Sequence, residues 1–279
     1  MSEAPPAAPV RSVALLGGGV MGEAILAAVL RAGVPADGVA VCERRVERAD
    51  ELRDRYGVRA TEDLTAAVRD AEVVVVALKP GDVRAALTEV ADHLAPGAVV
   101  LSVAAGLTTA FYERLLPEGT PVLRVMPNTP ALVGAGASAV APGRSATPEH
   151  VATGTALLAA TGLVVPAAEK DMDAVTAISG SGPAYVFALV DALAEAGVVL
   201  GLTRDRALEL ATATFRGAVA LLDETGEHPV VLRERVTSPG GTTAAGLRQL
   251  DAHAVRAAVV AAAEAARDRS RALSAELEG

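Results

Sequence analysis

Two glycine-rich turns contain the residues best suited to binding small charged molecules, and each leads into a helical pattern. The first reads Gly17-Gly18-Gly19-Val20-Met21-Gly22, follows a short β-branched run and matches G-x-G-x-x-G. Gly17 permits the tight bend, Gly19 lets the backbone approach a pyrophosphate, and Gly22 lets the helix pack on the strand. Because the free N–H groups at a helix start attract an anion, we expect Leu16 and this turn to bind a dinucleotide.

Three charged residues, Glu43, Arg44 and Arg45, follow the second apolar run, where folds of this kind contact the adenosine ribose. Glu43 could accept a hydrogen bond from a ribose 2′-OH and would repel a 2′-phosphate, which favours NADH. The two arginines could pair with that phosphate, which favours NADPH. Either arginine could equally be a solvated residue at a helix start. We predict that all three contact the cofactor and that it is NADPH, with NADH as the alternative.

Two further loops follow predicted strands on the side where a nicotinamide ring would lie. They read Ala77-Leu78-Lys79-Pro80 and Val103-Ala104-Ala105-Gly106. Small or proline-fixed residues suit a flat ring that passes close to the backbone. We expect these residues, Gly106 excepted, to contact the cofactor, with Lys79 as a contact and not as a catalytic group. Asn128, in the loop Pro127-Asn128-Thr129-Pro130, could orient a carboxamide or simply form the turn.

The second glycine-rich turn lies far along the chain and reads Ser238-Pro239-Gly240-Gly241-Thr242-Thr243. Its backbone N–H groups from Gly240 onwards could hold a small carboxylate, and the hydroxyls of Ser238 and Thr243 could add hydrogen bonds. A plain helix cap without a ligand would need only one hydroxyl residue. The two turns therefore predict two anion sites in one chain.

A sheet must position the first turn, and the apolar runs of the N-terminal half predict one. They lie at residues 13–16, 39–42, 73–77 and 99–103, with shorter runs at 121–126, 138–141 and 163–165. Strands that alternate with helices pair in parallel, and consecutive valines indicate strands that are covered on both faces. We predict the α/β class, with a Rossmann-type, doubly wound and mostly parallel sheet in an NAD(P)-binding domain of residues 11–168.

Helical patterns replace the strands after Asp171, at residues 183–200, 203–224, 228–236, 242–250 and 252–277. We predict an all-α domain over residues 169–279. Its spaced small residues, Gly197, Gly201 and Gly217, permit close helix approach but leave little bulk for a self-sufficient core. An interlocked dimer is the expected solution.

Composition and charge limit the kinds of molecule that this chain can bind and the setting in which it works. The 34 acidic and 25 basic side chains give a net charge of −9, which disfavours nucleic acid and anionic lipid. Cys42 is the only cysteine, which excludes a multi-cysteine metal site and fits a reducing, cytoplasmic setting. Asp191 and Glu195 interrupt the apolar stretch 186–202, so we expect a buried helix there and no membrane span. Residues 1–10 are unlike a signal peptide and are expected to be a frayed tail.

Blocks with a characteristic order and spacing run along the chain: GGGVMG, ALKP, VAAG, MPNTP, DAVTAISGSGPAY and VTSPGGTT. From Val13 to Ala272 they closely resemble the Δ1-pyrroline-5-carboxylate reductases. The last two blocks are long and specific, whereas many oxidoreductases share the first. The resemblance implies hydride transfer from nicotinamide C4 to the imine carbon of (S)-1-pyrroline-5-carboxylate, giving L-proline in the final step of proline biosynthesis. It also implies that cofactor and imine meet where the two domains join.

The resemblance implies roles for residues in the helical domain. Thr243 would hydrogen-bond the ring nitrogen and act as the proton donor, while Ser238 and the N–H groups of Gly240, Gly241, Thr242 and Thr243 would hold the carboxylate. Glu169 matches an acidic position of the family's substrate pocket, and it also fits a surface carboxylate beside Lys170. The resemblance further implies an intertwined homodimer, five of which form a decamer, with active sites built from two subunits.

Other functions stay open at this point. Glu43 and Arg235 depart from the family's usual residues near the cofactor, which leaves the cofactor preference open but not the reaction class. Another NADP-dependent oxidoreductase of the same fold, reducing a deazaflavin or a β-hydroxy acid, is the enzymatic alternative. The absence of lysine from residue 171 onwards speaks against the hydroxy acid. A non-enzymatic NAD(P)H-sensing module is supported only by the versatility of the fold.

Overall fold

The computed structural model describes residues 10–278, whose contacts group into two compact units. The first unit contains residues 10–181 and 266–278, and the second contains residues 182–265. The domain boundary after residue 168 stays a prediction. The expected frayed tail over residues 1–10 lies outside the described residues except for Val10.

The first unit is built on one eight-stranded sheet. Its strands are β1 Val13–Leu16, β2 Val39–Cys42, β3 Arg59–Thr61, β4 Val73–Val76, β5 Val99–Ser102, β6 Val122–Met126, β7 Gly136–Pro142 and β8 Gly162–Pro166. They lie in the order β3-β2-β1-β4-β5-β6-β7-β8, and every neighbouring pair is parallel except β6 with β7. The predicted α/β class with a mostly parallel sheet is confirmed.

Helices cover both faces of this sheet. They are α1 Val20–Arg31, α2 Val46–Tyr56, α3 Leu64–Val68, α4 Pro80–Val90, α5 Thr109–Leu115, α6 Pro148–Leu158 and α7 Met172–Val175, followed by a π-helical turn, Thr176–Gly180. Alternate valines of β4 enter two separate hydrophobic clusters, one shared with Ile25 of α1 and the other with Leu87 of α4. All four valines of β4 are therefore buried, as their consecutive spacing predicted.

One strand, β3, was missed by the sequence patterns. It has three residues at the edge of the sheet, and none of their side chains is buried. A short, partly exposed edge strand needs no run of apolar residues, so periodicity cannot reveal it. The other predicted strands match the observed ones to within a few residues; the largest extension is β7, predicted over 138–141 and observed over Gly136–Pro142.

The strand order reverses between β1 and β4. From β1 the chain continues outward through β2 and β3, and it then returns to the other side of β1 with β4. The loops that leave the carboxyl ends of β1 and β4 therefore diverge, and ligands of doubly wound sheets bind in the crevice between such loops. Both the first glycine-rich turn and the loop that begins at Ala77 leave the sheet at this point.

The second unit is helical, as predicted. Its helices are α8 Gly182–Val199, α9 Arg204–Thr225, α10 Pro229–Arg235, α11 Thr242–Ala252 and the first part of α12 Val255–Glu278. Its buried cluster consists of alanines 194, 207 and 211. A Cβ built on Gly197 would lie 2.8 Å from the Cβ of Ala207, so Gly197 lets α8 and α9 approach closely. Gly201 has a different use, because its φ of +98° forms the turn after α8.

Large apolar side chains remain exposed around this small alanine cluster. Phe187 of α8 is 66% exposed, and Leu200, which directly follows the end of α8, is 84% exposed. The expected burial of residues 186–202 is thus not achieved within one chain. Within residues 10–278 one helical stretch, Glu169–Val199, is long and apolar enough to cross a membrane, which is weak evidence for a span. Apolar area of this extent indicates an interaction surface, and a second copy of the chain is the expected cover.

We predict that Phe187→Asp weakens self-association. A charge on this exposed apolar face would be desolvated in an interface, so the dissociation constant should rise at least about tenfold, roughly 1.4 kcal/mol. Sedimentation velocity over a concentration series measures the shift. Val46→Asp, which charges a 54% exposed valine of the first unit, is the matched control. An unchanged oligomer in Phe187→Asp would show that α8 is not the self-association face.

Candidate active site

A cleft of about 700 Å³ lies where the strand order reverses. Its lining includes these residues predicted to bind the cofactor: Gly17, Gly19, Glu43, Arg44, Arg45, Ala77, Leu78 and Lys79. It also includes acidic residues that the sequence did not single out, Glu62, Asp82 and Glu89. The structure therefore brings together the loops that follow β1, β2 and β4.

The first glycine-rich turn has a shape that requires glycine. Gly17 has a φ of +104°, and a Cβ built on it would lie 2.6 Å from the carbonyl oxygen of Ala77. A Cβ on Gly22 would collide with the carbonyl oxygen of Gly17. A Cβ on Gly19 would meet no described atom within 4 Å, so the backbone at Gly19 faces open space. The bend at Gly17 and the close packing at Gly22 agree with the motif, and the approach of a pyrophosphate to Gly19 stays a prediction.

The start of α1 leaves backbone donors free. Gly19 is the N-cap, and no side chain among the described residues caps this helix. The first helical bond runs from the Glu23 N–H to the Gly19 oxygen at 2.8 Å, so the N–H groups of residues 20–22 have no helical acceptor. Together with the helix dipole they form an anion-binding end beside the cleft.

Glu43 holds the turn from the end of β2. Its carboxylate accepts hydrogen bonds from the Gly18 N–H at 3.1 Å and from the backbone N–H and Nε of Arg45, each at 3.1 Å. Burial opposes ionisation of this carboxyl group, but the bonds from Arg45 and Gly18 outweigh it, and the pKa of Glu43 is lowered. Glu43 is therefore an anion with both oxygens already engaged by protein donors.

Arg48 of α2 holds the same turn from the other side, and sequence reasoning missed it. Its Nε donates to the carbonyl oxygen of Gly18 at 2.8 Å, and its guanidinium also pairs with Glu23 and Glu51. Only 17% of the Arg48 side chain is exposed. α2 contains three arginines, Arg48, Arg53 and Arg55, and the sequence offers no signal that distinguishes the one that reaches Gly18.

The basic side chains at the cleft are more exposed than Glu43 and Arg48. Arg44 is 81% exposed along its side chain and touches Asp82 at 3.5 Å, while Arg45 is 65% exposed and paired with Glu43. Lys79 is exposed at the N-cap of α4, directly before Pro80. Of these groups, Arg44 and Lys79 have the freedom to turn towards an anionic ligand.

Ten predicted cofactor contacts do not line this cleft. Six belong to the β1–α1 and β4–α4 segments, namely Leu16, Gly18, Val20, Met21, Gly22 and Pro80, and four follow β5 and β6, namely Val103, Ala104, Ala105 and Asn128. The Val103 N–H donates to the Val76 oxygen at 3.0 Å, which places residues 103–105 beside the end of β4. The Asn128 side chain donates to the Ser179 oxygen at 3.0 Å and accepts from the Ala137 N–H at 2.8 Å. Asn128 thus ties its own loop to two other segments, and its second amide hydrogen has no acceptor within the described residues.

Glu169 forms an ion pair that the sequence did not indicate. One carboxylate oxygen accepts from Arg124 of β6 at 2.6 Å, and the Arg124 side chain is only 5% exposed. The other oxygen is buried and has no hydrogen-bond partner within the described residues. Arg124 therefore fixes the position of Glu169 and leaves one acceptor unsatisfied.

The second glycine-rich turn repeats the arrangement of the first within the second unit. Gly240 has a φ of +70°, and Gly241 is the N-cap of α11 without a side-chain cap among the described residues. The Gly241 N–H donates to the Ser238 oxygen at 3.0 Å, and the first helical bond reaches Gly241 from Ala245. The N–H groups of Thr242 and Thr243 consequently have no helical acceptor. Ser238 is exposed and Thr243 half-buried.

Comparison with known proteins gives matches to both halves of the chain. A family model described as pyrroline-5-carboxylate reductase dimerisation matches residues 169–273, and one described as NADP oxidoreductase, coenzyme F420-dependent, matches residues 12–106. The pyrroline-5-carboxylate reductase of Corynebacterium melassecola is 44% identical over 265 residues, which covers 94% of this chain and 98% of that protein.

Solved structures give the same result. The pyrroline-5-carboxylate reductase of Coxiella burnetii is similar with a TM-score of 0.91 and 33% identity, covering 95% of this chain and 99% of that one. The pyrroline carboxylate reductase of Plasmodium falciparum, solved with NADP bound, has a TM-score of 0.84 and 27% identity, covering 95% of this chain and 98% of that one.

We predict that Glu43→Gln costs about 1 kcal/mol of unfolding free energy near neutral pH, because the amide cannot pair with Arg45. The pKa of Glu43 is lower folded than unfolded, so its contribution is present above the unfolded pKa and lost as the pH falls through the folded pKa. Urea unfolding of both proteins across the acidic range should show the two stabilities converging. Glu47→Gln, which removes an exposed carboxylate of α2, is the matched control. A constant gap between Glu43→Gln and the parent would contradict this role.

Proposed function

This chain belongs to the pyrroline-5-carboxylate reductase family, and we propose that it reduces (S)-1-pyrroline-5-carboxylate to L-proline with a hydride from a reduced nicotinamide dinucleotide. The observation that carries the proposal is the pair of glycine N-caps, Gly19 and Gly241, each at a helix start with free N–H groups. The reaction needs two anionic ligands, a dinucleotide pyrophosphate and a small carboxylate, and a helix N-terminus suits each. The 44% identity across 94% of the chain favours this function over another oxidoreductase or a sensing module.

The residues of the first unit fit the dinucleotide. The open space at Gly19 and the free N–H groups of α1 suit the pyrophosphate, and residues 103–105 with the remaining Asn128 amide hydrogen suit the nicotinamide side. When bound, the reduced cofactor supplies the hydride. The chain's own contribution is to hold the reacting groups in register and to exclude water from them.

The residues of α11 would hold the imine. In this proposal the carboxylate accepts from the N–H groups of Thr242 and Thr243 and from the Ser238 hydroxyl, while the Thr243 hydroxyl bonds the ring nitrogen. Gly240 shapes the turn, and Gly241 supports it through its bond to Ser238. We propose that Glu169, whose position Arg124 fixes, also binds the substrate.

The reaction adds one hydride to the imine carbon and one proton to the nitrogen, so the C=N double bond becomes a C–N single bond while one C–H and one N–H bond form. An imine of this basicity arrives largely protonated or takes its proton from water, so the protein needs no strong acid beside it. We propose that Thr243 positions the ring nitrogen first and passes a proton second.

NADPH is the proposed cofactor, with NADH as the alternative. Glu43 is engaged by Gly18 and Arg45, so its charge is partly compensated, and Arg44 is free to meet a 2′-phosphate. The chain is a homo-oligomer, consistent with the dimerisation model that matches residues 169–273 and with the exposed apolar side chains of α8. We further propose that five dimers form a decamer and that the enzyme works in the cytoplasm.

We predict that Thr243→Ala lowers kcat at least about tenfold with pyrroline-5-carboxylate, because the nitrogen loses its positioning bond. The dissociation constant for NADPH should stay within about twofold, since Thr243 does not belong to the dinucleotide turn. Steady-state kinetics and fluorescence titration measure the two quantities. Thr214→Ala removes an exposed hydroxyl that bonds the Leu210 oxygen within α9, and it should leave both unchanged. Undiminished turnover in Thr243→Ala would end its proposed role.

Cofactor choice is tested at Arg44. Arg44→Ala should lower kcat/KM for NADPH about tenfold, because a charge-assisted bond to the 2′-phosphate is lost. The value for NADH, which lacks that phosphate, should change less than about twofold. Arg53→Ala, at a half-exposed arginine of α2 that does not line the cleft, is the control. An equal loss of kcat/KM with both cofactors would mean that Arg44 does not bind the 2′-phosphate.

A further inference from the structure

The end of α12 packs on the loop between β5 and α5, residues 103–108. The Thr108 N–H donates to Oε1 of Glu278 at 2.7 Å, and Arg114 of α5 donates to Oε2 at 3.2 Å. Thr108 is also the N-cap of α5, and its hydroxyl accepts from the Phe111 N–H at 3.2 Å. In a capping box, a Glu three residues along would accept the N-cap N–H. Here that position holds Phe111, and Glu278 supplies the acceptor from the far end of the chain.

Apolar contacts reinforce this polar one. Gly106 has a φ of +78°, and a Cβ built on it would lie 3.0 Å from Cδ1 of Leu277 and 3.4 Å from Leu273. Leu277 also packs against the buried cluster that contains Val76, Val100 and Leu107. The backbone at Gly106 and the two leucines are therefore in direct contact, and the loop cannot shift towards α12 without displacing them.

A second anchor fixes this part of α12. The Ser270 hydroxyl donates to Oδ1 of Asp173 at 2.8 Å, and Ser270 is only 7% exposed. Arg271 lies 3.5 Å from the other oxygen of Asp173. Arg84 of α4 donates to the backbone oxygen of Glu278 at 3.3 Å. Residues 270–278 are thus held at both ends, so their contact with the loop is a fixed one.

We infer that Glu278 and Leu277 are positioning residues that hold the 103–108 loop in the conformation the nicotinamide half of the cofactor requires. This inference rests on the proposed function, in which residues 103–105 contact the cofactor. Glu278 touches neither cofactor nor imine in this account and acts through Thr108. Burial opposes ionisation of Glu278, but the bonds from Thr108 and Arg114 outweigh it and lower its pKa, so the carboxylate is charged when it holds the loop.

The test compares Glu278→Ala and Glu278→Gln with the same two substitutions at Glu276. Glu276 lies on the same helix, is 57% exposed and pairs with Arg269, away from the loop. Glu278→Ala should raise the dissociation constant of NADPH and of NADH about fivefold and lower kcat to a similar extent, with the KM for the imine within about twofold. Glu278→Gln keeps an acceptor for Thr108 but loses the Arg114 pair, so it should fall between Ala and the parent. Both Glu276 variants should match the parent.

A purely structural role would lower the melting temperature of Glu278→Ala and leave the cofactor dissociation constants unchanged, and that result would overturn the inference. If Glu278→Ala does not fold, the near-isosteric Glu278→Gln provides the test. Parent-like dissociation constants of Glu278→Gln for both cofactors would then contradict the inference. The titrations need no imine. Absence of proline formation by the parent enzyme would therefore reject the proposed function without deciding this inference.

Discussion

The N–H groups at the first turn of a helix must find acceptors outside the helix, and in α1 and α11 the N-cap is a glycine that offers none. The proposed chemistry depends on this constraint. At α1 the turn is kept in shape by the positive φ of Gly17 and by two ionic side chains, since Glu43 accepts from the N–H of Gly18 and Arg48 donates to its oxygen. In the proposed function, the protein shapes the turn with its own charged side chains, and the free N–H groups of α1 bind the ligand.

The two units differ in how completely one chain buries their apolar side chains. In the first, aliphatic strands such as β4 are buried on both faces, so one chain suffices for its core. In the second, three alanines are buried while Phe187 and other large apolar side chains remain exposed. Small residues allow α8 and α9 to approach, as at Gly197, but they bury little area per residue. Self-association thus completes a core that one copy leaves unfinished.

Much of this arrangement could be predicted from the sequence, because the signals are local. Consecutive valines predicted the doubly covered strands, and glycine spacing predicted both helix starts. The missed features are pairs between distant residues: Arg48 with Gly18, Arg124 with Glu169, and Glu278 with Thr108. The residues around an arginine or a glutamate do not indicate which distant residue it will pair with. The exposure of α8 was also mispredicted, since an apolar helix looks the same whether its own chain or another copy covers it.

A crystal structure of the enzyme with NADPH and L-proline tests the central claim most directly. We predict pyrophosphate oxygens at about 3 Å from the backbone nitrogens that begin α1, and the proline carboxylate at about 3 Å from those of Thr242 and Thr243, with the Thr243 hydroxyl bonded to the ring nitrogen. A carboxylate bound by other groups, with the start of α11 facing solvent, would contradict the claim that these two helix ends are the anion sites of the reaction.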